Sequence, residues 1–210
     1  MLVSRDWGQG TMTASSYPFV VKLVKRGQPL DAATEVFRGA AIDQLGTYAG
    51  VMTDGQGNRL VTIERRTTFF GGETHVWTPA GTKKLDIPAR AFPAGMVDGQ
   101  VLFQTSDPWG QVPAGALASA PIANVRAGRA ITPTILFAPT PRQSVDEVVT
   151  TKDHVVLVYN DNVPRPARRS TRIAAAAGPR APSHCPTTSR WASPAPTIAA
   201  ITAISPSPAS

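Results

Sequence analysis

The stretch "TYAGVMTDGQGNRLVTIERRTTFF" runs from Thr47 to Phe70. Its first seven residues, and the run from Arg59 onward, are rich in Thr, Tyr, Val, Ile and Phe, the side chains that suit a pleated, half-buried surface. Between them lies DGQGN, Asp54 to Asn58. Glycine there opens backbone conformations closed to other residues, and Asp and Asn bond their own backbone, so the segment reads as a turn. The stretch predicts a strand, a turn and a second strand.

The same grammar recurs on both sides. PFVVKLVKR (18–26), THVWT (74–78), QVLFQTS (100–106), PTILFAP (133–139) and HVVLVYN (154–160) are short apolar runs, several of them alternating with polar residues. Turn signals separate them: PAG at Pro79–Gly81 and again at Pro93–Gly95, VDGQ at Val97–Gln100, and TKD at Thr151–Asp153. One segment alone, PLDAATEVFRG (Pro29–Gly39), carries a helical pattern. Many short strands with frequent turns predict an all-β chain built as an antiparallel sandwich, barrel or propeller. Pattern by itself leaves these three open.

Charge divides the chain in two. Its formal net charge is +7, which points towards nucleic acid or anionic surfaces. Yet residues 1–163 carry 15 Lys and Arg against 14 Asp and Glu, a net +1. Residues 164–210 carry six Arg, nine Pro and no Asp, Glu or Lys, and so supply the other +6. Basicity therefore belongs to a Pro/Ala/Ser/Arg-rich tail, which is expected to be disordered because it cannot bury enough apolar surface to offset the entropy of ordering. The single cysteine, Cys185, also lies in that tail and supports no disulfide framework. No apolar run approaches the roughly 18 residues of a membrane helix. "MLVSRDWGQG" at the start lacks a basic region followed by an apolar one, so no export signal is read and the cytoplasm is the default compartment.

Three stretches resemble one family. TASSYPFVVKLVKRGQPLDAATEVFRG (Thr13–Gly39), DPWGQVPAGALAS (Asp107–Ser119) and ILFAPTPRQSVDEVVTTKDHVVLVYNDNV (Ile135–Val163) are similar, in that order, to segments of the β-propeller domain of prolyl-oligopeptidase-type serine peptidases, family S9. Ser16 stands where the family has Gly, and Val24 where it has Trp. The resemblance implies a partial β-propeller over residues 1–163. At about 40–45 residues per blade, that length holds three to four antiparallel blades. It further implies, as partner on the parent chain, an α/β-hydrolase domain carrying the catalytic Ser, Asp and His. The propeller there restricts the substrates to short peptides.

The tail after Val163 does not continue the resemblance in its own frame. Read instead in the frame that joins the third base of each codon to the first two bases of the next, it does. His184–Cys185 then forces a Leu, and Trp191–Ala192 forces a Gly. Both fall where the family's next propeller segment has them. A shift of reading frame near Pro164 is therefore expected, with 164–210 as out-of-frame translation and the chain as a truncated fragment. The rival reading is a small β-domain with a genuine basic arm, in which Arg165, Arg168, Arg169 and Arg172 contact phosphates. No aromatic platform accompanies these arginines, and nucleic acid is not expected as a partner.

Catalytic chemistry is not legible in the 210 residues. Hydrolases of this type expose the nucleophile at a Gly-x-Ser-x-Gly elbow, and that motif does not occur in the sequence. The histidines are His75, in the strand ETHVWT; His154, at a turn into a strand; and His184, in the tail. None is read as a base. Arg5–Gly8, the two GQG turns at Gly8–Gly10 and Gly55–Gly57, and VKRG at Val24–Gly27 read as turns. Glu64, Arg65 and Arg66 read as a solvated strand face or a polar pore lining. No catalytic, cofactor-binding or metal-binding residue and no cofactor is assigned.

Overall fold

A computed structural model describes residues 1–161 and, beyond them, the strand backbone of Ala167–Ala174 and Ile198–Ile201. The strands are β1 (Leu2–Ser4), β2 (Val20–Leu23), β3 (Thr34–Arg38), β4 (Thr47–Thr53), β5 (Arg59–Arg65), β6 (Glu73–Thr78), β7 (Gly81–Lys84), β8 (Ala91–Val97), β9 (Gln100–Thr105), β10 (Leu117–Pro121), β11 (Thr134–Phe137), β12 (Gln143–Thr150), β13 (His154–Asp161), β14 (Ala167–Ala174) and β15 (Ile198–Ile201). One short helix, α1 (Ile122–Ala127), lies between β10 and β11.

The strands form four sheets in chain order: β1-β2-β3, β4-β5-β6-β7, β8-β9-β10-β11 and β12-β13-β14-β15. Neighbours are antiparallel except β14 and β15, which pair in parallel. The first three sheets are meanders, and the fold is all-β, as a partial propeller requires. The expectation of a disordered tail falls on residues that, outside β14 and β15, are not among those described.

β9 shows why the sheets stack face to face. Val101, Leu102 and Phe103 follow one another and all three are fully buried. Alternation sends them to opposite faces. Val101 and Phe103 join Leu60 and Val76 of the second sheet and Leu85 just beyond its last strand, while Leu102 joins Val155, Leu157 and Tyr159 of the fourth. A sheet with both faces covered reads as a continuous apolar run. That run is what makes the third sheet an inner blade.

The first strands of successive sheets, β4, β8 and β12, are edge strands of their own sheets and pack side by side, β4 on β8 and β8 on β12. In a radial array these are the strands nearest the axis. The turns that follow them, 54–58, 98–99 and 151–153, therefore meet at one end of that axis. The connections 39–46, 66–72 and 85–90 lie at the other end.

Two local expectations are corrected. PLDAATEVFRG holds one 3-10 turn, Leu30–Ala32, and then strand β3, because Thr34 to Arg38 find a hydrogen-bonded partner in β2. Tertiary pairing here outweighs local preference. PAG at Pro93–Gly95 is not a turn but the interior of β8, where the register shifts at a bulge between Pro93 and Gly95. Helix α1 is too short to show a period in sequence. It is held by Ile122 and Val125, three apart on one buried face, and ends at Gly128 in the left-handed conformation.

Candidate functional site

Arg65 ends β5 and organises the polar residues of the second sheet. Its Nε and Nη2 donate to the two carboxylate oxygens of Asp43, at 2.8 and 2.9 Å, and Nη1 donates to Glu73 at 3.3 Å. Lys84 reaches the other oxygen of Glu73 at 2.7 Å. Desolvation pushes the Asp43 carboxyl up, but the Arg65 hydrogen bonds, the Ala40 N–H and the guanidinium charge outweigh it and hold the group below its usual value. Arg66 pairs with Glu64 at 3.0 Å and lies 4.0 Å over the ring of Phe92, tying the second sheet to the third. The Glu64–Arg66 segment is thus an ion-paired strand end, and a solvated face describes it only in part.

His75 is buried, with its ring 4.6 Å from that of Phe37 and Nε2 3.9 Å from Glu73. Its Nδ1 has no hydrogen-bond partner. Burial pushes its pKa down, against the opposing pull of Glu73, so the ring is neutral. A base must hold a nucleophile's proton, and among the described residues no hydrogen bond joins a Ser, a His and an acid. His154 opens β13, its N–H donating to Thr151 Oγ1 at 3.1 Å, the turn role read from the sequence. His184, Cys185 and Arg165 lie outside the described residues, and Arg168, Arg169 and Arg172 are described only as strand backbone.

The other singled-out motifs are structural. In Arg5–Gly8, Asp6 accepts the Gly8 N–H at 2.8 Å, and the Trp7 ring lies beneath Lys22 and Arg5. In Asp54–Asn58, the Asp54 carboxylate accepts the N–H groups of Gln56, Asn58 and Gly99 and the Asn58 amide. Desolvation of Asp54 is outweighed by these bonds, and its carboxyl sits below the usual value. Gly99 belongs to the next sheet, so this turn is a bridge between blades. Sequence reading found the turn but not the bridge, which has no local signal.

The opposite end of the axis differs in character. Ile42, Phe69 and Phe70 are 89%, 65% and 72% exposed. The Phe69 N–H donates to Gln44 Oε1 at 2.9 Å, which joins the two connections that carry them. The two phenyl rings meet edge to face at 5.0 Å. Large apolar side chains grouped at a rim mark surfaces that meet another body.

Comparison with known proteins points one way. A solved structure of a post-proline cleaving enzyme from Rickettsia typhi superposes with a TM-score of 0.71 at 20% identity, over 81% of this chain and 26% of that one. Among curated proteins, an uncharacterized peptidase, y4nA, of Sinorhizobium fredii is 33% identical over 172 residues, 77% of this chain and 24% of its own length. In fold and in sequence the chain is similar to the propeller of prolyl-oligopeptidase-like peptidases. No family profile matches it. It spans about a quarter of the length of either relative. The prolyl-oligopeptidase-like propeller accounts for the four stacked sheets, the inner edge strands and the doubly buried β9 together.

Proposed function

We propose that residues 1–163 are part of the propeller of a prolyl-oligopeptidase-like serine peptidase, the part that limits access of short peptides to an α/β-hydrolase domain. The observation that carries this is the agreement of two independent likenesses, 33% identity to a peptidase and the shared fold with a post-proline cleaving enzyme. The exposed Phe69–Phe70–Ile42 rim supports it as the face that such a domain covers. Lacking a Gly-x-Ser-x-Gly elbow, these 210 residues hydrolyse no peptide themselves. Residues 164–210 are, on the same reading, out-of-frame translation of the next propeller segment.

Two measurements test this. A fluorophosphonate probe should leave the 210-residue chain unlabelled, and proline-containing chromogenic peptides should stay intact. The DNA beyond codon 164, read in the alternative frame, should continue into further blades and then a hydrolase with its serine elbow. The restored chain should cleave those peptides. Labelling of the 210-residue chain, or downstream DNA that encodes no hydrolase in any frame, defeats the proposal.

A further inference from the structure

Asp-Gly occurs twice in the chain, at Asp54–Gly55 and Asp98–Gly99, and the fold brings the two pairs into contact. Both glycines are required where they stand. Asp98 and Gly99 are the central residues of the two-residue β8–β9 hairpin, at φ 50° and 71°, a turn that favours Asp-Gly. Gly55 is needed for room: a β-carbon there would lie 2.5 Å from the Lys152 carbonyl oxygen and 2.9 Å from its Cα. An aspartate followed by a residue without a side chain carries a chemical liability, because nothing shields its carboxyl carbon from the next backbone nitrogen. At Asp98 the Gly99 nitrogen gives up its proton and attacks Cγ. A C–N bond forms, and the carboxyl hydroxyl leaves with that proton as water. The five-membered imide then adds water, and opening at the main-chain carbonyl gives isoaspartate, with one extra carbon in the backbone.

Contacts between the second and third sheets oppose this step. Gly99 donates its N–H to Asp54 Oδ2 at 2.9 Å. The in-plane electron pair left on that nitrogen when the proton goes therefore points at Asp54 and not at Asp98 Cγ. Gln56 Nε2 donates to Asp98 Oδ1 and holds the carboxylate that would be attacked. The Asp54 carboxylate is itself committed to the N–H groups of Gln56, Asn58 and Gly99 and to the Asn58 amide, none of them the Gly55 N–H. We infer that Asp98–Gly99 is a latent modification site, silent while the second and third blades touch and converted to isoaspartate when they part, with Asp54 as the residue that keeps it silent. An extra backbone carbon in a two-residue loop breaks the register that the turn sets, so a junction once opened and marked does not close again as before. The chemistry needs only the contact between the two sheets and stands apart from the peptidase reading.

The 210-residue chain is incubated at neutral pH, folded and in urea, and digested with a proteinase that cuts before aspartate and not before isoaspartate. Cleavage lost before Asp98 measures the conversion. A hydrogen bond to a carboxylate is strong enough to slow the step about tenfold or more, so the folded wild type should convert at Asp98 more slowly than the unfolded chain by at least that factor. Asp54→Ala, which cannot itself cyclise, should raise the folded rate at Asp98 by about tenfold, and the Gly99 amide should exchange faster in step with it. Should Asp54→Ala fail to fold, Gln56→Ala decides: Gln56 is exposed, and its loss frees the Asp98 carboxylate, so conversion at Asp98 should rise in the folded chain. Equal rates at Asp98 for folded and unfolded wild type, or for wild type and the variant that folds, overturn the inference.

Discussion

Arg65 and Asp43 form a two-pronged ion pair, Nε to Oδ2 at 2.8 Å and Nη2 to Oδ1 at 2.9 Å, with the Asp43 side chain only 2% exposed. It joins the end of β5 to the connection between the first and second sheets. Removing one partner of a buried pair leaves a charge without compensation, and this costs about 3–5 kcal/mol. Arg65→Met should therefore lower the urea midpoint sharply, and Asp43→Asn combined with Arg65→Met should recover part of the loss. Equal midpoints for wild type and Arg65→Met would refute this.

The same pair sets an acid limit. Asp43 titrates below its usual value in the folded chain, where the unfolded value is about 3.9. Its contribution is fully present above that pH and is lost as pH falls through the lower, folded value. Thermal midpoints should drop below about pH 4, and the drop should be shallower in Asp43→Asn. Parallel curves for the two proteins would remove Asp43 from the account.

His75 acts in a higher window. Burial holds its pKa below the ordinary 6.5 or so, with Lys84 and Arg65 adding to the effect and Glu73 opposing it. The unfolded chain takes up the proton first, so stability is present above about pH 6.5 and erodes as pH falls towards the folded value. His75→Phe, which keeps a ring against Phe37, should flatten the stability profile below about pH 6.5. An unchanged slope there would contradict the assignment.

Gly72 has an ordinary φ but no room. A β-carbon on it would lie 3.0 Å from the Arg65 carbonyl carbon and 3.1 Å from the Arg66 Cα. Both neighbours are backbone and cannot turn aside as a flexible side chain would. Gly72→Ala should cost about 1–3 kcal/mol by overpacking, read from denaturant unfolding. A neutral result would mean that the β5–β6 connection yields freely.

Phe103 is the largest side chain fully buried between the second and third sheets, and it meets Trp109 edge to face at 5.5 Å. Phe103→Ala should destabilise by about 3–5 kcal/mol. Leu102→Ala, on the other face of β9, should cost about 2–5 kcal/mol through the separate core shared with the fourth sheet. If either face served a single sheet exposed to water, one of the two would be nearly silent in unfolding experiments.

Strand type and turn chemistry were legible in the sequence because they are local. TYAGVMT became β4 over the same residues, and HVVLVYN became β13 with one residue added. The apolar run of β9 already carried the mark of burial on both faces. Other strands escaped notice for physical reasons. β10, LASAP, is built of small residues whose burial comes from its neighbours. β8 hides a Pro and a Gly that a bulge absorbs. β3 took its form from pairing with β2. The likeness of its segments also carried the sequence to the right family of folds. What only the tertiary structure decided is which distant residues meet: Arg65 with Asp43, Gly55 with Lys152, and Asp54 with Gly99. Such contacts depend on how whole sheets stack around an axis, and that stacking is fixed by apolar faces summed over many strands. No short stretch of sequence encodes where two turns separated by a blade will touch.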